Sequence, residues 1–144
     1  MRLELTRRGD YAVRAMLALA GRAPAGPTSA REIAVEMGIP VGYVPRVMGE
    51  LVSAGLVAST TGRSGGYALA RSPASISLLG VIEAVEGDSR RTTCVLRGGP
   101  CGRDGHCQVH DVFFAAQAAL LEQLSRVSLA DLARARPRAE RLKT

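Results

Sequence analysis

The chain has 144 residues, 47% of them hydrophobic, with 19 Lys and Arg against 13 Asp and Glu and a net charge of +6. That length holds one domain or two small ones, and that apolar share can bury a core, which excludes a disordered tail. Aromatics are 3% and Trp is absent, which argues against single-stranded nucleic acid held by base stacking; the positive balance suits a polyanion but is equally common as a solubilising surface.

Arg2 to Thr6 reads as a short extended arm. Arg7-Arg8, an apolar run and Ala23-Pro24-Ala25 imitate a secretory signal, but Asp10 and Arg14 interrupt the run and its apolar positions have helical spacing. No stretch is long enough to span a membrane, so a cytoplasmic protein is expected. From about Arg8 to Ala20, Val13, Met16, Leu17 and Ala20 form one helical stripe, with Arg14, Ala18 and Arg22 on another face. Ala23 to Pro27 is a breaker-rich loop.

Ser29-Ala-Arg-Glu32 is a capping box, and Ile33, Ala34 and Met37 make the inner face of the helix it starts. Gly38 is placed to end it. Val44, Val47, Met48 and Leu51 then define a second periodic segment that stops at Gly55. Pro45 is compatible with this helix if its N-terminus lies near Val41, because a first-turn N–H has no intrahelical acceptor to lose. Two helices around a tight glycine turn make a helix-turn-helix pattern. Leu56–Thr60 and Tyr67–Ala70 flank the glycine-rich Thr61–Gly66, which predicts a β-hairpin carrying Arg63 at its turn. Directly after a helix-turn-helix, that hairpin is a wing.

Ser77 caps a further helix with Leu78, Val81, Ile82 and Val85 inward and Gly87 as its stop. After Cys107 a long helix is predicted to about Val127, with Val109, Phe113, Ala116, Leu120, Leu124 and Val127 as a stripe that serves either the chain's own core or a dimer seam. Ser128 to Asp131 starts a last short helix. The expected fold is mostly α with a small β-hairpin wing: a winged helix-turn-helix domain over residues 1–75, then a cluster-binding loop and dimerisation helix over 76–144.

A recognition helix presents its N-terminal polar face to the major groove. Here that face holds Tyr43, Arg46 and Glu50, beside Gly42 and Pro45. Arg46 suits a two-point bond to guanine, or a phosphate. Thr28 and Ser29 sit where the preceding helix would approach the backbone, and Arg63 would bind a phosphate or enter the minor groove. Few base contacts per monomer imply a twofold dimer on double-stranded DNA.

All three cysteines, Cys94, Cys101 and Cys107, fall within fourteen residues, with His110 three residues beyond the last, and four glycines and one proline lie among them. An odd number cannot all pair within the chain, and clustered thiols in a non-secreted protein point to metal or redox chemistry. Cys94, Cys101, Cys107 and His110 make a Cys3His set for zinc or an iron–sulfur cluster. The gaps of six and five residues exceed the two to four usual between zinc thiolates, which suits a larger cluster. Arg90, Arg91, Arg97 and Arg103 raise the local positive potential. His106 reads as a solvated loop histidine.

Over nearly its full length the chain resembles the iron–sulfur winged-helix transcription regulators of bacteria, the family that includes IscR and NsrR. The likeness is carried by Arg2-Leu3, Asp10-Tyr11-Ala12-Val13, Gly62-Arg-Ser-Gly-Gly-Tyr67, Ile76-Ser-Leu78, Val81 to Gly87, the cysteines, and Ser128-Leu-Ala-Asp-Leu132. The resemblance implies a homodimeric DNA-binding regulator, not an enzyme, acting as a repressor, with a cluster (2Fe–2S favoured, 4Fe–4S the other type) on Cys94, Cys101 and Cys107. Members take a fourth ligand either from a histidine matching His110 or from an acidic residue of the partner subunit matching Asp10; the chain has both, and His110 is favoured. Pro45 stands where the cluster-biogenesis type has Glu, so that type's DNA preference does not carry over. A zinc-stapled or thiol-responsive winged helix, and an iron–sulfur enzyme or electron carrier, are the other readings.

Overall fold

The computed structural model describes residues 1–93, 95–96 and 107–135. Its first helix, α1 (Arg7–Arg22), begins where the Thr6 hydroxyl accepts the Gly9 N–H at 3.1 Å. It is the central element: α2 (Ala30–Met37), α3 (Val44–Ser53), α4 (Leu78–Glu86), α6 (Leu129–Arg134) and strand β2 (Gly66–Leu69) all pack on it. Packing from several sides explains a departure from the sequence pattern. Ala12, Ala15, Leu19 and Ala18 are buried with Met16, whereas Val13 and Leu17 are only half-buried. Ala18, expected beside Arg14 and Arg22, is 1% exposed. Small side chains at these positions let the neighbouring helices come close.

The capping box at α2 forms as expected, and Gly38 ends the helix in the left-handed region. A 3-10 turn at Val41–Tyr43 then leads into α3, with Pro45 in its first turn. Val44, Val47, Met48 and Leu51 are all buried. Strand β1 (Val57–Thr60) pairs antiparallel with β2, from Val57 opposite Leu69 to Thr60 opposite Gly66. A third stretch of chain joins them: Thr28 and Tyr67 exchange both backbone hydrogen bonds at 2.8 Å. A side chain at Gly66 would lie 2.3 Å from the Thr28 carbonyl oxygen, so this close approach requires glycine.

Ser77 caps α4, whose Val81, Ile82 and Val85 face inward. Helix α5 (Gln108–Arg126) follows, then Ser128 and Asp131 form a second capping box at α6. The chain closes on itself here, with Leu78 N–H bonding the Val127 carbonyl at 2.8 Å and Leu129 N–H the Ile76 carbonyl at 2.9 Å. One buried cluster runs from Ala12 through Met16, Ile33, Met48 and Leu51 to Val81, Val85 and Leu129, drawing on residues either side of position 75. No helix among the described residues is long and apolar enough to cross a membrane.

Candidate nucleic-acid interface and thiolate site

The outward side of α3 and the turn before it carries Gly42, Pro45, Arg46 and Gly49, all exposed. Their spacing of three and four residues places them on one face. Gly42 and Gly49 have open space beside them, so the helix backbone can lie close to another surface with Arg46 as its one long side chain. Arg46 forms no ion pair among the described residues. Gly49 belongs to this face and was not singled out from the sequence; its place follows once α3 starts at Val44.

The other candidate DNA contacts divide. Arg63 is exposed at the wing tip, where Gly65 N–H bonds the Gly62 carbonyl at 3.1 Å. Ser29 stands at the start of α2: its hydroxyl accepts the Glu32 N–H at 3.2 Å and its own N–H bonds the Glu32 carboxylate at 2.9 Å. The Ser29 backbone N–H, then its hydroxyl, hold the Glu32 carboxyl below its ordinary range. Arg31, exposed in the same first turn, adds a cation that the sequence reading passed over. Thr28 is different. It is 3% exposed, and its backbone joins α2 to the wing, so its side chain faces inward rather than towards a DNA backbone. Tyr43 packs edge-on against Tyr11, ring centroids 5.4 Å apart, at the start of α3. Glu50, expected on the outward face, turns back to α1, where Oε1 lies 3.4 Å from Arg8 Nη1. Local spacing placed it one position off the face that Arg46 and Gly49 share.

Of the four thiolate-site residues, Cys107 and His110 lie among the described ones; Cys94 and Cys101 lie outside them. Cys107 is the N-cap of α5, half-buried, and its carbonyl accepts the His110 N–H at 3.0 Å. Both side chains thus belong to the first turn of one helix. The Cys107 side chain thus sits at the N-terminal, positive end of α5. His110 stacks on Phe114, ring centroids 4.8 Å apart, which fixes its ring plane. A soft sulfur and an imidazole nitrogen on one turn fit an iron–sulfur cluster or zinc. Asp10 is committed elsewhere: Arg14 Nε and Nη2 bond its two oxygens, each at 2.9 Å. Arg14 also reaches the Met37 carbonyl at the end of α2, at 3.3 Å.

Two residues missed in the sequence shape this region. The Gln117 side chain accepts the Arg91 N–H at 2.7 Å and donates to the Arg91 carbonyl at 3.3 Å, clasping the segment before Cys94 against α5. Arg8 of α1 reaches both α3 and α4. Neither could be found by periodicity, since each partner lies far away in the chain.

Helix α5 has no buried residue. Val112 is 67% exposed, and Phe113, Phe114 and Leu120 are exposed with it. Of the expected stripe, Val109, Leu124 and Val127 are half-buried, while Phe113, Ala116 and Leu120 face out.

The Rrf2 family, described as iron-dependent transcriptional regulator, matches residues 5–135. An HTH-type transcriptional regulator of Azotobacter vinelandii, ORF2, is 39% identical over 131 residues, 90% of this chain and 79% of that one. The HTH-type transcriptional regulator IscR of Escherichia coli is 35% identical over 130 residues, covering 90% of this chain and 80% of its own. Among solved structures, CymR, the global cysteine regulator of B. subtilis, superposes with a TM-score of 0.81 at 28% identity, over 92% of this chain and 97% of that one. These relatives are regulators rather than enzymes, which sets aside the enzyme or electron-carrier reading. With a helix-turn-helix, a wing and a family match over nearly its whole length, the chain belongs to the Rrf2 family of DNA-binding transcriptional regulators.

Proposed function

We propose that the chain acts as a homodimeric repressor whose promoter affinity is set by an iron–sulfur cluster held by Cys94, Cys101, Cys107 and His110, with 2Fe–2S favoured. The observation that carries this reading is the pairing of Cys107 and His110 on the first turn of α5. Asp10 is the weaker fourth ligand, because both of its oxygens are already paired with Arg14. When bound, such a cluster supplies a centre that reacts with oxidants or nitric oxide. The protein's part is to hold Cys107 at the positive end of α5 and to tie Arg91, three residues before Cys94, to α5 through Gln117.

DNA reading is assigned to Arg46 on the open face of α3, to Arg63 on the wing, and to Ser29 with Arg31 at the start of α2. Tyr43 acts through packing against Tyr11. Helix α5, about 28 Å long for its 19 residues, supplies the dimer seam through Val112, Phe113, Ala116 and Leu120, since an exposed apolar stripe of this extent marks a partner surface.

Protein purified without oxygen tests the proposal: visible absorption with iron bound supports it. His110→Ala should shift that spectrum and Asp10→Ala should leave it unchanged; the reverse pattern transfers the fourth ligand to Asp10. Colourless, iron-free protein with unaltered fold sinks the cluster. The likeness to a global cysteine regulator favours a second reading in that case: a cluster-free regulator responding through its thiols, or one stapled by zinc, which metal analysis separates.

A further inference from the structure

The start of α1 is a junction. Arg8 reaches two other elements at once: Nη1 lies 3.4 Å from Glu50 Oε1 on α3, and Nη2 donates to the Val85 carbonyl in the last turn of α4. Beside it, the Glu86 carboxylate accepts the Thr6 N–H at 3.2 Å, placing negative charge over the first turn of α1. Gly9 makes room for this. A side chain there would lie 2.2 Å from Glu86 Oε2. Glu50 Oε2 is turned inward and has no hydrogen-bond partner among the described residues, while Oε1 meets Arg8 in a partly solvated ion pair. Helix α4 ends at Glu86, and only seven residues separate it from Cys94. Those residues are not slack, for Arg91 is clasped by Gln117 of α5.

We propose that Arg8 is a positioning residue for DNA reading: its guanidinium ties the recognition helix at Glu50 to the last turn of α4 at Val85, and so carries a change in the cysteine-bearing segment to the face that holds Arg46. The inference rests on the proposed sensing by that segment. The two ends are served by different nitrogens of one rigid fork, and a lysine has a single ammonium that cannot span both in the same way. Both partners, the α4 turn and α3, pack on α1 as well. A small displacement of α4 therefore reaches Glu50 without unfolding anything between. This differs from a phosphate contact, in which any cation at position 8 would serve.

The test uses full-length protein and a duplex that the wild type selects from a random library. Affinity is measured for cluster-loaded protein and for protein stripped of iron and kept reduced, each across a salt series. For Arg8→Lys and Arg8→Met the ratio of the two affinities should fall by about fivefold or more, the scale of a real coupling between sites. Visible absorption per dimer and the slope of log affinity against log salt should stay as in the wild type. A wild-type ratio in Arg8→Lys, or a slope lowered by about one, overturns the proposal and makes Arg8 a phosphate contact. A wild-type ratio of one overturns cluster sensing itself. In that event Arg8→Met, Glu50→Gln and the double variant decide on stripped protein: losses that fail to multiply, by fivefold or more, keep Arg8 as a positioning residue, and losses that multiply remove it.

Discussion

In α3 the residues Val44, Val47, Met48 and Leu51 all lie in the core, whereas α5, nearly twice as long, has no buried residue and leaves Val112, Phe113, Phe114 and Leu120 exposed. Both helices are amphipathic. One buries its apolar face in the chain it belongs to and leaves its polar side open. The other leaves much of its apolar face exposed. The comparison teaches where substitutions should register: in folding for α3, in assembly for α5. Leu51→Ala should cost about 2–5 kcal/mol in denaturant unfolding, as a fully buried leucine removed from a packed core does. Phe113→Asp should change single-chain stability by only about 0.5 kcal/mol. It should nevertheless halve the sedimenting mass and weaken binding to a palindromic duplex by roughly 10²-fold, the loss that follows when two linked half-sites act singly. If Phe113→Asp unfolds the chain instead, the two helices are alike and the dimer seam lies elsewhere.

What could be seen in the sequence divides along the same line. The caps at Ser29, Ser77 and Ser128, the stop at Gly38 and the hairpin are local chemistry, decided within four or five residues, and each formed where expected. The inner face of α3 followed from its period. The α1 face did not, because a helix packed on several sides buries Ala18 as well as Met16. Thr28 was placed outside because nothing local announces that Tyr67 will pair with it. Glu50 was read as outward because Arg8 lies 42 positions away in the chain, and a one-position change on a helix rotates a side chain by about 100°. Of the thiolate site, Cys107 and His110 on one turn were legible from their spacing of three.

A smaller effect sharpens the contrast within the DNA-facing side. Arg46 projects from a face otherwise made of Gly42, Pro45 and Gly49, while Arg63 projects from the tip of the wing. Arg46→Ala should cost about 1–3 kcal/mol on the preferred duplex and relax the choice of bases, whereas Arg63→Ala should weaken all duplexes alike and lower the salt slope by about one. Competition between the selected duplex and a scrambled one separates the two. Equal losses on both duplexes for Arg46→Ala would reduce it to a phosphate contact.

The two capping boxes give the finest comparison, because one chemistry occurs in both regions. Ser29 and Glu32 start the helix that precedes the recognition helix; Ser128 and Asp131 start α6, just after α5. In each box the serine backbone N–H is the main cause that holds the carboxyl below its ordinary range, with the serine hydroxyl next; Arg22 adds to this at Glu32 and Arg134 at Asp131. A carboxyl whose folded pKa lies below its unfolded value favours the folded state when charged. Its contribution is full above the unfolded value, about 4 for either residue, and is lost as pH falls through the lowered folded value. Glu32→Gln and Asp131→Asn keep an oxygen acceptor but not the charge. Each should therefore shift the urea midpoint at neutral pH, hold that shift down to about pH 5, and rejoin the wild type in more acid solution. Both groups are solvent-facing, so the shifts should also shrink in high salt. A gap that survives unchanged below both pKa values would mean that the amide fits the cap badly, and that charge is not what these boxes contribute.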